Sequence, residues 1–127
     1  MIEALFTQPN YMAAKKGLDL VELRQRAIQD NLANIETPGY KRMDVAPSFT
    51  SALSEAVRSR DAQAIGALKP QLAVDTSAVA TSPDGNSVDL ESELLAMNKN
   101  SLAHSMQTQL LTGSLMRLKL AINGRPS

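Results

Sequence analysis

The run NLANIETPGYKR, residues 31–42, decides the fold. Up to Ile35 the chain carries a helical pattern, and Thr37, Pro38, Gly39 and Tyr40 end it abruptly. Pro38 disfavours helical geometry at Thr37 and fixes its own φ, so the helix must stop at or just before Glu36. Pro followed by Gly suits a type II turn, whose second central position needs φ > 0. Asn31 and Asn34 lie one helical turn apart, where their side chains suit the last carbonyls of the helix or a neighbouring segment. Tyr40 adds a flat apolar body and a hydroxyl just past the turn. Read from the residues alone, the run is either a plain helix stop or a device that fixes how the chain leaves the helix.

On the N-terminal side, Tyr11, Ala14, Leu18, Val21, Gln25, Ile28, Leu32 and Ile35 recur at alternating intervals of three and four. That is a heptad seam with one polar member, Gln25, and Leu20, Leu23 and Ala27 run beside it. A helix over residues 10–35 would be roughly 39 Å long. The C-terminal segment repeats the alternation through Leu90, Leu94, Met97, Ser101, His104, Thr108, Leu111, Leu115, Leu118 and Ile122. Its three central members are polar, which weakens packing but fixes register and partner choice. Leu95, Leu102, Met106, Leu110 and Leu120 form a second flank. Asp89 is placed to cap the start of this helix, with Glu91 and Glu93 in its first turn and Arg117 and Lys119 towards its end, an order that complements the helix dipole. Gly124 and Pro126 then stop it.

The fold expected is therefore mostly α: two long terminal helices in a coiled-coil-like hairpin, with an irregular middle. Residues 1–43 hold the first helix and the turn, 44–86 the middle and 87–127 the second helix, as one structural domain. Within the middle, residues 48–60 suit a short helix built on Phe49, Leu53, Ala56 and Val57, and Leu72, Val74 and Val79 alternate weakly like a marginal strand. A connection of this length is either an appendage with contacts of its own or a segment that orders on assembly. Each long helix carries more apolar surface than a two-helix hairpin covers, so further burial against other copies or other proteins is expected.

Composition narrows the chemistry. With 13 basic and 13 acidic residues the chain offers no electrostatic case for nucleic acid. It has no Cys, hence no disulfide or thiolate metal site. MIEALFTQPNY lacks the basic and apolar regions of a cleaved signal, and the longest apolar run, residues 94–97, is far too short to span a bilayer. His104 is the single histidine; it sits on the helical seam with no acidic neighbour in sequence to orient it, so no catalytic residue is expected. SPDGNSVDLE, residues 82–91, offers oxygen ligands in Asp84, Asn86 and Asp89, but its spacing does not match a calcium loop, and Asp-Gly-Asn reads as a turn leading into the Asp89 cap. Lys15-Lys16 and Lys41-Arg42 read as solvated basic pairs. No metal, cofactor or small-molecule substrate is expected.

The run NLANIETPGYK resembles the N-terminal signature of the bacterial flagellar axial proteins, the rod, hook and hook-associated proteins. At the other end, DGNSVDLE at 84–91, with Glu93, Leu94, Asn100 and LKLAINGR at 118–125, is similar to the FlgB family of proximal rod proteins more than to the related FlgC family. The resemblance covers roughly residues 10–45 and 84–125. It implies a structural subunit of the flagellar basal-body rod, exported without a cleaved signal to the periplasmic rod, where terminal helices assemble into a torque-transmitting shaft. It further implies as partners other copies of itself, FlgC-like rod proteins, a FliE-like adaptor, the inner-membrane ring and the flagellar export apparatus. Asn31, Asn34, Thr37, Pro38, Gly39 and Tyr40 would shape a turn that packs between subunits. The competing reading is a soluble helical adaptor or export chaperone that binds partner helices through the same stripes.

Overall fold

The computed structural model describes residues 8–124, and six elements lie among them. Helix α1, Pro9–Ala33, opens with Pro at its first position, where the missing N–H has no intrahelical partner to lose. Strand β1, Met43–Val45, follows the corner, and then come α2, Pro47–Arg58, α3, Ala62–Ala67, β2, Leu72–Val74, and the long α4, Leu90–Asn123. The expected stop at Pro126 and the leader reading over residues 1–7 lie outside the described residues.

Helices α1 and α4 run antiparallel: Asn31 lies near Glu93, Val21 and Gln25 bond Asn100, and Gln107 lies over Gly17. The expected hairpin of terminal helices is thus the frame of the fold. On α1 the buried side is Ala14, Gly17, Val21, Ala27, Ile28 and Asn31, so Val21 and Ile28 sit where the spacing places them. Leu18, Leu32 and Ile35 are half-buried.

Helix α4 turns a different side inward from the one its leucines suggest. Of the residues spaced as a seam, Leu90, Leu94, His104, Leu115 and Ile122 are exposed, and Met97, Leu111 and Leu118 are half-buried. The inward positions fall one residue earlier in successive heptads: Glu93, Asn100 and Gln107. The reason is that α4 carries apolar residues around most of its circumference, so its leucine spacing sets a period but no phase. Hydrogen bonds set the phase instead. Asn100 donates to the Val21 carbonyl and to Gln25 Oε1, both at 3.0 Å, and Glu93 is paired by Arg42. Rotating α4 by one residue would leave these polar groups buried and unpaired, at about 1–3 kcal/mol each.

The middle segment folds against α1. Strands β1 and β2 pair antiparallel, Asp44 opposite Ala73, with flanking bonds from the Asp75 N–H to the Arg42 carbonyl and from the Ala46 N–H to the Gln71 carbonyl, both 2.8 Å. Helix α2 buries Phe49 and Ala56, as its spacing predicts, but Val57 is exposed. Leu72 and Val74 are in a strand, whereas Val79 is in none and lies open to solvent. Helix α3, which apolar spacing does not reveal, is capped by Asp61 and anchored by fully buried Ile65. Among the described residues no helix is long and apolar enough to cross a membrane.

Candidate functional site

The corner after α1 is where the local chemistry is densest. Asn34 ends the helix, its side chain donating to the Asp30 carbonyl at 2.8 Å and accepting from the Thr37 hydroxyl at 3.1 Å. The Tyr40 N–H closes a turn onto the Thr37 carbonyl at 3.2 Å, and Gly39 adopts φ +72° between them. This is the geometry that Pro38-Gly39 predicts. No atom stands within 4 Å of where a Gly39 side chain would begin, so only the backbone demands glycine. Gly39→Val is expected to destabilise by about 1–2 kcal/mol through that backbone strain, while Lys16→Ala changes little. Urea midpoints of the two variants check this, and equal midpoints would remove the turn assignment.

Asn31 is fully buried and works as a substitute peptide group. Its Nδ2 donates to the Met43 carbonyl at 2.8 Å, and its Oδ1 accepts from the Met43 N–H at 2.9 Å and from the Tyr40 hydroxyl at 3.2 Å. One side chain thereby ties the last turn of α1 to the first residue of β1. Burial of the Tyr40 hydroxyl, with the nearby charges of Asp30 and Glu93, raises its pKa above the usual 10.0 and keeps it a donor.

A strap, residues 82–88, lies across the outside of the corner. Asn86 is fully buried, and its Nδ2 reaches the carbonyls of Asn34, Ile35 and Thr37 at 2.9, 3.1 and 2.8 Å. Asn34 is the C-cap of α1 and the other two lie in the turn beyond it; the Asn34 and Thr37 carbonyls also accept from the Thr37 and Tyr40 N–H groups, so Asn86 adds a second donor to an existing turn. The Gly39 N–H donates to the Asp84 carbonyl at 3.0 Å, and the Ser87 N–H to the Tyr40 carbonyl at 3.1 Å. The Arg42 N–H meets the Ser87 hydroxyl at 2.8 Å, and Lys41 Nζ the Gly85 carbonyl at 2.9 Å.

Beneath the strap Arg42 joins three elements. Its guanidinium pairs with Glu93 on α4, Asp44 on β1 at 3.2 Å and Asp75 after β2 at 2.8 Å, while Arg24 on α1 pairs with Asp44 at 3.2 Å. Two guanidiniums thus serve three carboxylates. Glu93 is fully buried, and its Oε2 has no hydrogen-bond partner among the described residues. Burial works against the Arg42 charge, but hydrogen bonds and charges from Glu93 and Asp44 outweigh it and raise the pKa.

Asp75 is held below the usual carboxylate value of 3.8 by the Ser77 hydroxyl, against the opposing effect of burial, with the Ser77 N–H and Arg42 adding to the depression. A depressed carboxylate contributes stability that is full above its unfolded value and lost as pH falls through its folded one. Unfolding free energy is therefore expected to drop as pH is lowered below about 4. In Asp75→Asn the slope below that pH should be shallower, as urea midpoints between pH 2 and 6 will show; an unchanged slope would remove Asp75 from the acid response.

The structure thus brings Asn31, Asn34, Thr37, Gly39 and Tyr40 together with residues that their own segment does not reveal. Pro38 is exposed and shapes the turn. Arg42, read as half of a solvated basic pair, is instead the centre of the ion-pair cluster. Asn86 reads from sequence as part of a turn, and Glu93 as a dipole-complementing acid; both hold the corner. The signal that links them is that the two stretches resembling the axial proteins meet here in space. Asp89 caps α4 as its position suggests, accepting from the Ser92 N–H at 3.1 Å. Among the described residues no group of three His, Cys, Asp or Glu side chains is arranged to hold a metal.

No family model matches the chain. Among characterised proteins, the flagellar basal body rod protein FlgB of Escherichia coli K12 is 31% identical over 117 residues, covering 80% of this chain and 83% of that protein. FlgB of Cereibacter sphaeroides is 31% identical, covering 86% and 90%. FlgB of Borreliella burgdorferi is 30% identical over 109 residues, covering 72% and 78%.

Proposed function

Since the chain belongs to the flagellar basal body rod protein FlgB family, we propose how its corner and its outer helix face serve in the rod. It is a structural subunit of the flagellar basal-body rod. The subunit stands in the proximal part of the rod, in the periplasm, after export without a cleaved signal. It has no catalytic role. Its partners are further copies of itself, FlgC-like rod proteins, a FliE-like adaptor, the inner-membrane ring and the export apparatus, and through them it passes on torque.

One observation carries this reading: the outer face of α4. Leu95, Leu102, Met106, Leu110 and Met116 are 53–65% exposed, alongside Leu90, Leu94, Leu115 and Ile122. An apolar stripe of this length on a water-facing helix is an interaction surface. It supports packing of α4 against neighbouring subunits, with the six residues of the corner turn aiming the helix pair within the tube. No observation favours the adaptor reading.

The test is complementation of a strain lacking its FlgB gene. Leu102→Ser with Met106→Ser is expected to abolish swimming in soft agar and to leave no completed rods in isolated basal bodies. The circular dichroism and urea midpoint of the purified variant should match the parent, because both side chains are outward. Normal swimming by the variant would overturn the assignment of the outer face.

A further inference from the structure

The corner contains little that would hold it in shape alone. Glu36, Thr37, Pro38 and Gly39 are exposed, and no residue between 34 and 42 is fully buried. Its internal bonds are few: the Thr37 N–H to the Asn34 carbonyl at 3.0 Å, the Tyr40 N–H to the Thr37 carbonyl, and the Thr37 hydroxyl to Asn34. Anchors stand at either end, where Asn31 grips Met43 and Tyr40.

The strap is the better-buried partner. Asn86, Ser87 and Val88 are the only three consecutive buried residues among those described. The strap also shapes itself. The Val88 N–H donates to Asn86 Oδ1 at 2.8 Å, the Asn86 N–H to Asp84 Oδ1 at 3.0 Å, and the Thr81 N–H to the Asn86 carbonyl at 2.9 Å. The first of these leaves the Asn86 amide nitrogen pointing at the three corner carbonyls. Past the strap, Asp89 caps α4 and Glu93 reaches Arg42, so strap, helix start and ion-pair cluster form one continuous lining.

We propose that residues 34–42 take their shape only when the strap lies on them, so that corner, strap and the first turn of α4 open and close as one unit. The corner is then a conditional structure, made from two stretches more than 40 residues apart. Where the rod-subunit reading holds, from which alone this consequence follows, a chain whose strap is not yet in place presents no corner to its neighbours. Completion of the C-terminal half becomes a precondition for docking by the N-terminal half.

Native-state hydrogen exchange on the whole chain tests the proposal. The amides of Gly39, Tyr40, Thr81 and Ser87 are expected to merge onto one exchange isotherm as denaturant rises. In Asn86→Ala all four should exchange faster by on the order of tenfold, as for loss of strong hydrogen bonds, while the Val21 and Gln25 amides in α1 stay within about twofold. If Thr81 and Ser87 speed up while Gly39 and Tyr40 keep their protection, the Asn31 anchors suffice and the proposal falls. Should Asn86→Ala fail to fold, the isotherms of the unaltered chain decide alone. Exchange reads the isolated subunit and complementation reads the assembled rod, so either can fail without the other.

Discussion

Asn31→Ala is expected to cost roughly 3–5 kcal/mol, a large part of the 5–15 kcal/mol that holds a typical domain together. The truncation leaves the Met43 N–H, the Met43 carbonyl and the Tyr40 hydroxyl without their partner in a place where the asparagine itself is fully buried. Each orphaned group carries a desolvation penalty that water cannot readily offset there. Asn31→Asp sharpens the test. It retains an acceptor for Met43 and Tyr40, but it loses the donor and sets a second carboxylate where Asn31 Nδ2 lies 3.5 Å from Glu93 Oε1. The aspartate should be at least as destabilising as the alanine at neutral pH, despite being the closer match in shape. Urea unfolding followed by far-ultraviolet circular dichroism measures both, and a loss below about 1 kcal/mol in either would mean that the corner does not depend on this side chain.

The second large effect concerns Arg42. Removing one partner of a buried ion pair costs more than the pair contributes, because the remaining charge is stranded, and losses of about 3–5 kcal/mol are usual. Arg42→Met strands Glu93, which is fully buried and whose Oε2 already has no partner among the described residues. It also takes away a cation that serves Asp44 and Asp75. Adding Glu93→Gln removes the stranded charge, so the double variant should recover about 1–3 kcal/mol relative to Arg42→Met alone. A double variant that loses the sum of the two single effects would show that Arg42 acts on Asp44 and Asp75 and not through Glu93.

The N-terminal half of this design was written openly in the sequence. Pro38 and Gly39 mark where a turn is allowed, and Val21 and Ile28 stand where a helical period puts them, because α1 has one clearly apolar side. Helix α4 was legible in extent and in its Asp89 cap but not in orientation. Its leucines recur on several sides, and what turns it are Glu93 and Asn100, whose partners lie 51 and 79 residues away. Bonds of that range leave no local pattern. Arg42 was misread for the same reason: beside Lys41 it looks solvated, and only folding brings Glu93 and Asp75 to it. Asn86 shows the limit most clearly, since a turn residue and a clamp on a distant turn have the same letters around them.

The two sides of α4 obey different chemistry, the inner one serving the fold and the outer one, on the proposed reading, recognition. Inward identity rests on a few hydrogen-bonding groups at fixed positions. Outward identity rests on bulk and shape, with Leu102 65% and Met106 57% exposed. On the proposed reading, the outer residues are an exchangeable label. A chimera carrying another rod protein's residues at these outward positions would keep its architecture while acquiring a different address in the shaft.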